Sequence, residues 1–298
     1  MHPPRPLETT FNAGSGTVNL EDNFTISNND TFNAENATAT VDNTTEINGT
    51  YNGDDGNTTF NANVDIRSGG VINLDTGTIT FNGDTQVRDN GTLNMGTGTV
   101  NLNSGLTAQS DGNVNVQDGN LNAQGDANFQ NNGNLSVDDG NVFVTGDATL
   151  QNGGSFDFTN GSMTVGGNAS FTNGGSVNAG DSHIELKGDM TVQNGGNFDP
   201  GTSTVTFNGG NTQTINAGNN TITFYDVNVT DGSSIQTTVS LEIFDMLGRN
   251  IAILIDQQSC SAGLHSVSWN APDYPSGVYF YRLTTPDQRF TKKLTLIK

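Results

Sequence analysis

Glycine returns every 21 residues along most of this chain. One column runs Gly49, Gly70, Gly91, Gly112, Gly133, Gly154, Gly175 and Gly196. A second runs Gly56, Gly77, Gly98, Gly119, Gly140 and Gly161, and a third Gly83, Ser104, Gly125, Gly146, Gly167, Gly188 and Gly209. Columns that hold phase from about Asn28 to Gly209 make each period one unit stacked on the last. Between the glycines sit short alternating segments: Ile72 and Leu74, Ile79 and Phe81, Thr85 and Val87. Alternation with a period of two marks a strand with one buried face. The glycines are expected to turn the corners, because glycine reaches positive φ at no steric penalty. Three strands and three corners close a triangle. The fold class expected is all-β: a parallel β-solenoid of 21-residue coils with three short strands each, followed by a small antiparallel β-sandwich.

Reading down columns predicts the core. Ile72 stacks on Leu93, Val114, Leu135, Phe156, Val177 and Phe198; Phe81 on Leu102, Ala123, Val144, Val165, Leu186 and Phe207. The third side gives Val87, Ala108, Phe129, Leu150, Phe171 and Val192, beside the small column Ala127, Ala148 and Ala169. Such ladders give a close-packed interior from few residues. That reconciles the fold with an apolar content of only 32%, which would otherwise suggest disorder. Asn131, Asn152, Asn173 and Asn194 form a corner column, after Asp89 and Ser110. Stacked amides of this kind are expected to hydrogen-bond from coil to coil and stabilise the turns.

Charge is unevenly placed. Residues 239–298 hold five acidic and six basic side chains, whereas the remainder holds 26 acidic against Arg5, Arg67, Arg88 and Lys187, a net of −22. That sign excludes a nucleic-acid partner. Cys260 is the one cysteine, so no internal disulfide forms. No stretch approaches the ~20 apolar residues of a membrane span, and the start, Met-His-Pro-Pro-Arg-Pro-Leu-Glu, has no apolar core of a secretory leader.

The pattern divides the chain into a proline-rich segment over 1–10, a solenoid over 11–229, a polar linker over 230–238 and a terminal domain over 239–298. The coils from Phe11 to Ile47 look irregular, and the phase breaks again after Gly209. In the terminal domain, strand-like runs fall at Val239–Phe244, Ile251–Ile255, Leu264–Trp269, Val278–Leu283 and Lys293–Ile297. Turn signals at Gly248, Gly263, Pro272–Gly277 and Pro286–Asp287 separate them. No helix is expected.

Those last sixty residues carry VSLEIFDMLGRNI, AGLHSVSW, SGVYFYRL and KKLTLIK. Together these runs resemble the C-terminal sorting domain of type IX secretion substrates. By that resemblance Asp245, Gly248 and Arg249 correspond to the family's D-x-x-G-R turn. Gly277, Val278, Tyr279 and Tyr281 match its G-V-Y-x-Y strand, and Lys293, Leu294, Leu296 and Lys298 its closing strand. The resemblance implies the type IX outer-membrane translocon as partner. It also implies an extracellular or outer-membrane surface location in a Gram-negative, Bacteroidota-like bacterium. Family members have a proline-rich segment and a first strand ahead of this point, where the chain has SSIQTT, so the last coil is a candidate to supply that edge. They also carry a leader, so the expectation is that the chain is a fragment, that its start is misplaced, or that it is not exported. The solenoid, by composition, resembles the glycine- and asparagine-rich repeats of bacterial surface adhesins.

Chemistry-bearing residues are sparse. A polysaccharide lyase needs a basic residue beside carboxylates, and the repeats offer Arg67 and Arg88, 21 residues apart, and Lys187. A hydrolase needs two carboxylates at a set separation, inside walls that an insertion-free repeat does not build. Asp84, Asp126, Asp147 and Asp189 share a column broken by Gly105 and Asn168, but the glycine-rich repeat of calcium solenoids is absent. The outward column Thr78, Thr99, Asn120, Asn141, Ser162, His183 and Thr204 is too mixed for a crystal-binding face. His183 and His265 lack partners at ligand spacing. The expectation is a non-catalytic, cofactor-free, adhesin-like surface protein, not an integral membrane protein, meeting extracellular glycans or matrix and able to associate end to end. A polysaccharide-active enzyme and a ligand-free spacer are the alternatives.

Overall fold

The inward columns stack in register, and the triangle follows from them. The computed structural model describes residues 9–218, 220–230, 232–261, 266–285 and 289–298. Of the expected features, most of segment 1–10, Gly263, His265 and the turn at Pro286–Asp287 lie outside these residues. Three parallel sheets build about eleven coils. The first side has ten strands from Thr10–Asn12 to Asn197–Asp199, the second eleven from Thr17–Leu20 to Asp226–Val229. The third runs from Phe24–Ile26 to Thr212–Asn216 and then continues into the C-terminal strands. No helix occurs among the described residues.

The ladder from Ile72 to Phe198 pairs coil by coil. So do those from Phe81 to Phe207 and from Val87 to Val192. All of these side chains are buried. Aromatic rings stack where the columns place them together, Phe60 on Phe81 at 5.2 Å and Phe32 on Tyr51 at 5.3 Å between centroids.

The period has one lapse inside the run. Thr31 pairs with Thr50 and Thr45 with Val64, 19 residues on, while Phe24 pairs with Thr45 at 21. The two missing residues belong to the corner between Ile47 and Thr50, so the shortened coil still joins both neighbours. The coils from Phe11 to Ile47, expected to be irregular, are otherwise in register with the rest.

The corner glycines work differently from expectation. At the corner between third and first sides, the two residues before the glycine carry the positive φ: Asp89 (51°) and Asn90 (64°) before Gly91, Asn131 (49°) and Asn132 (66°) before Gly133. Gly91 N donates to Arg88 O at 2.8 Å and closes a turn of the I′ type. Gly91 itself has no positive φ. A Cβ there would stand 2.2 Å from the carbonyl oxygen of Ile66 in the coil below. Gly70, Gly112, Gly133, Gly154, Gly175 and Gly196 meet carbonyls at 2.0–2.3 Å in the same way. Close approach, not backbone freedom, demands glycine in this column.

Beyond Gly209 the third side takes four extra residues, Met190 pairing with Ile215. Gln213 fills the irregularity. Its amide nitrogen donates to Leu186 O (2.9 Å) and Gly188 O (2.7 Å), and its oxygen accepts from Gly209 N (3.0 Å). Residues 234–238, expected in a linker, are already strand. Ser234–Phe244 begins parallel to Thr212–Asn216, with Thr212 opposite Ser234. It then pairs antiparallel with Asn250–Ser261 on one edge and Gly277–Thr284 on the other. Arg289–Leu296 completes a four-stranded antiparallel sheet. Where a sandwich is expected, the described residues form one sheet. The strand anticipated at Leu264–Trp269 is absent over residues 266–269, which run as irregular chain. There Trp269 joins Tyr274 and packs on Tyr279, so a loop covers what a second sheet would have covered.

Candidate functional site

The C-terminal sheet gathers most of the residues singled out by motif. Asp245 opens the hairpin between its first two strands. Its Oδ1 accepts from Leu247 N (2.9 Å) and Arg249 N (3.0 Å), and its Oδ2 from Arg249 Nε (2.6 Å). Gly248 sits at φ 78° with open space around it and donates from N to Asp245 O at 3.0 Å. The backbone N–H of Arg249, with its guanidinium and Leu247 N–H, holds the Asp245 carboxyl below the ordinary aspartate range. The D-x-x-G-R spacing is thus a self-bonded turn: aspartate as acceptor, glycine for the left-handed residue, arginine closing the ring.

Gly277, Val278, Tyr279 and Tyr281 lie on one strand opposite Leu296, Thr295, Leu294 and Lys292. Tyr279 is buried, its ring 5.2 Å from Trp269 and its hydroxyl donating to Pro275 O at 2.8 Å. Tyr274 donates to Ile251 O at 2.6 Å. Arg282 lies over the Phe244 ring at 4.1 Å. Lys293 is exposed opposite Phe280, and Lys298 is tied down by N to Ser276 Oγ (3.0 Å) and Nζ to Pro272 O. The hairpin tip presents Met246 and Leu247 largely to solvent. The sheet therefore offers an apolar tip and a basic last strand on a frame continuous with the solenoid.

The solenoid candidates have structural partners. Arg67 pairs with Glu46 at 2.5 Å, and Arg88 binds both oxygens of Asp65 at 3.0 and 2.7 Å and Asp89 at 2.8 Å. Glu46 raises the Arg67 pKa, Asp65 raises that of Arg88, and Arg67 lowers that of Glu46. Guanidiniums so held do not supply a base at this place. In the aspartate column, Asp126 Oδ1 accepts from Asp147 N (2.9 Å) and Asp147 Oδ1 from Asn168 N (2.6 Å). These carboxylates cap the next coil's backbone. No group of three or more metal-ligating side chains occurs among the described residues.

Asn131, Asn152, Asn173 and Asn194 stand at the left-handed position of their corners, φ 49–52°, and their side chains do not bond to one another. The amide ladder lies elsewhere. On the first side Asn33, Asn52, Asn73, Asn94 and Asn115 each donate to the asparagine one coil below, from Asn115 down to Asn12, at 2.6–2.9 Å. Gln109, Gln130 and Gln151 repeat this on the third side at 2.9 Å. Both columns were readable at the 21-residue period, apart from the 19-residue step between Asn33 and Asn52.

No helix among the described residues is long and apolar enough to cross a membrane, which leaves β-barrels aside. No curated protein matches the chain significantly. Among solved structures, the crystal structure of a TibC-catalyzed hyper-glycosylated TibA fragment matches at 19% identity and a TM-score of 0.28, covering 76% of this chain and 90% of that one; at that score the likeness carries no structural argument. The family model described as the secretion system C-terminal sorting domain matches residues 218–298, beginning ahead of Val239 and taking in the last solenoid strand, Asp226–Val229. Behind its β-solenoid the chain therefore carries the sorting domain of type IX secretion substrates, which commits it to that machinery and to export to the cell surface or extracellular space in Bacteroidota-like bacteria.

Proposed function

We propose that the exported chain is a non-catalytic, adhesin-like surface protein whose solenoid is the displayed part. The observation that carries this reading is how the outward side chains are used. Along the first side, amides bond to one another coil after coil instead of converging on a reactive centre. The two repeat arginines are spent on carboxylates. About eleven coils at ~4.8 Å each make a rod of roughly 50 Å. Its polar flanks can meet an extracellular glycan or matrix, and its negative charge keeps the stack soluble.

The test is localisation followed by adhesion. The native gene is expressed in a type IX-competent host, with and without residues 218–298. Surface antigen is followed by protease accessibility, and binding of the cells to immobilised glycans and matrix is measured. Surface exposure and binding by the intact form, with the truncated form retained in the periplasm, is the expected result. Equal distribution of both forms would remove the sorting argument. Turnover of a polysaccharide by the purified chain would replace the adhesin reading with an enzymatic one.

A further inference from the structure

An open trough runs along the outside of the third side, beneath its corner with the second. It consists of two stretches of about 320 and 300 Å³ that share Asp84 and Gln86. Its floor is one outward column, Thr25, Glu46, Asp65, Gln86, Thr107 and Asn128, one residue from each of six successive coils. At ~4.8 Å per coil the floor is about 24 Å long.

Three observations bear on what fits there. First, the side chains of Gln86, Thr107 and Asn128 bond to no described residue, while the adjacent Gln109–Gln130–Gln151 column is tied into a hydrogen-bonded chain. Three successive steps of the floor are thus left with free donors and acceptors. Second, the inward column beside it reads Thr45, Val64, Thr85, Leu106, Ala127. Thr45 and Thr85 line the trough, are only 3% and 1% exposed, and carry hydroxyls without a partner. Third, the charge is one-sided. Glu46 and Asp65 are matched by Arg67 and Arg88, but Asp84 and Asp126 on the corner wall face no cation. No aromatic side chain lines either stretch, so a flat apolar ligand finds no platform.

We propose that this trough binds an extended polysaccharide without acidic groups, laid along the solenoid axis and hydrogen-bonded to the floor one coil at a time. The proposal rests on the reading of the solenoid as a ligand-presenting surface and names the site and the ligand class. Repetition gives affinity that grows with chain length, and Asp84 with Asp126 rejects acidic glycans.

The full chain is titrated calorimetrically with a panel of neutral hexasaccharides (glucan, mannan and N-acetylglucosamine), their disaccharides, and hexagalacturonate. At least one neutral hexasaccharide is expected to bind, its disaccharide at least tenfold more weakly, and hexagalacturonate not at all. Gln86→Trp, which fills the exposed floor, should abolish binding, while Thr80→Trp on the outer face of the second side should leave it unchanged. The double variant Asp84→Asn with Asp126→Asn keeps the acceptor oxygens that cap neighbouring coils. It should bind the neutral hexasaccharide within threefold of wild type and now admit hexagalacturonate. Binding unaffected by Gln86→Trp in a variant with an unchanged melting temperature, equal binding of hexagalacturonate to wild type, or no neutral hexasaccharide bound would each overturn the trough. None of these touches the surface-protein reading, which stands or falls on the localisation and adhesion experiment.

Discussion

A methyl group on Gly112 would lie 2.0 Å from the carbonyl oxygen of Val87 in the coil below. The nearest atoms are all backbone of Val87 and Arg88, so nothing flexible can move aside. Gly112→Ala should destabilise the solenoid by about 2–3 kcal/mol, the range of overpacking in a tight site. Gly105→Ala is the control, since its nearest contact would be Asp126 O at 3.4 Å, and it should fall within about 0.5 kcal/mol of wild type. Denaturant melts of the two variants decide whether close approach is the reason for the column.

The two asparagine columns separate by their responses. Asn131 occupies a left-handed corner without a side-chain bond to its neighbours. Asn131→Gly should be nearly neutral and Asn131→Val should lose about 1–2 kcal/mol, the strain of a β-branched residue at positive φ. Asn73 sits inside the bonded ladder, donating to Asn52 at 2.9 Å and accepting from Asn94 at 2.8 Å. Asn73→Ala should lose about 1–2 kcal/mol through two net hydrogen bonds. A corner ladder bonded as the corner sequence first suggests would reverse this order in thermal melts.

The hairpin at Asp245 should be sensitive to acid, with the sign set by its lowered pKa. The Asp245 pKa is depressed in the folded chain, chiefly by the Arg249 backbone N–H. A carboxyl shifted downward contributes stability that is present above its unfolded pKa and is lost as pH falls through its folded pKa. The loss should therefore begin below the ordinary aspartate range. NMR titration of the Asp245 carboxyl, with the Leu247 and Arg249 amides as reporters, should give a midpoint below that of a free aspartate. A midpoint at or above it would mean the turn is not closed by these bonds.

What the sequence discloses depends on what repeats. Ile72 to Phe198 and Phe81 to Phe207 are legible as core because the same burial is demanded at every coil. The need for glycine at Gly91 was equally legible, but not its cause: a column records that no side chain fits without saying whether φ or a neighbouring carbonyl forbids it. The shortened corner at Asn48–Gly49 escaped notice because Gly49 is the first glycine of its column and no earlier glycine marks the period. The strand at 234–238 reads as linker since its polar residues do not alternate, and its partner Thr212–Asn216 follows a four-residue phase shift. Of the trough, the aspartate column with Asp84 and Asp126 is visible in the sequence, but the floor leaves no motif. The trough comes from the projection of a corner past a flat sheet, which only the assembled coils define.

Gln213 marks the place where the two halves of the molecule meet, and it makes the last prediction. Its three bonds satisfy two carbonyls and one N–H at the point where four extra residues disturb the third side. The strand that holds it, Thr212–Asn216, is also the one on which Ser234–Phe244 pairs. Gln213→Leu preserves much of the volume but orphans Gly188 O and Gly209 N, each worth about 1–3 kcal/mol if left buried and unpaired, while Leu186 O keeps its bond from Asn208 N. The last coil should relax to let water reach them, and this loosens the base of the sorting sheet without unfolding the repeats below. Amide hydrogen exchange is expected to accelerate over 209–216 and 234–240 while the Ile72–Leu135 region keeps its protection. If exchange rises uniformly along the rod, the solenoid and the sorting sheet unfold as one unit, and Gln213 is not a joint between them.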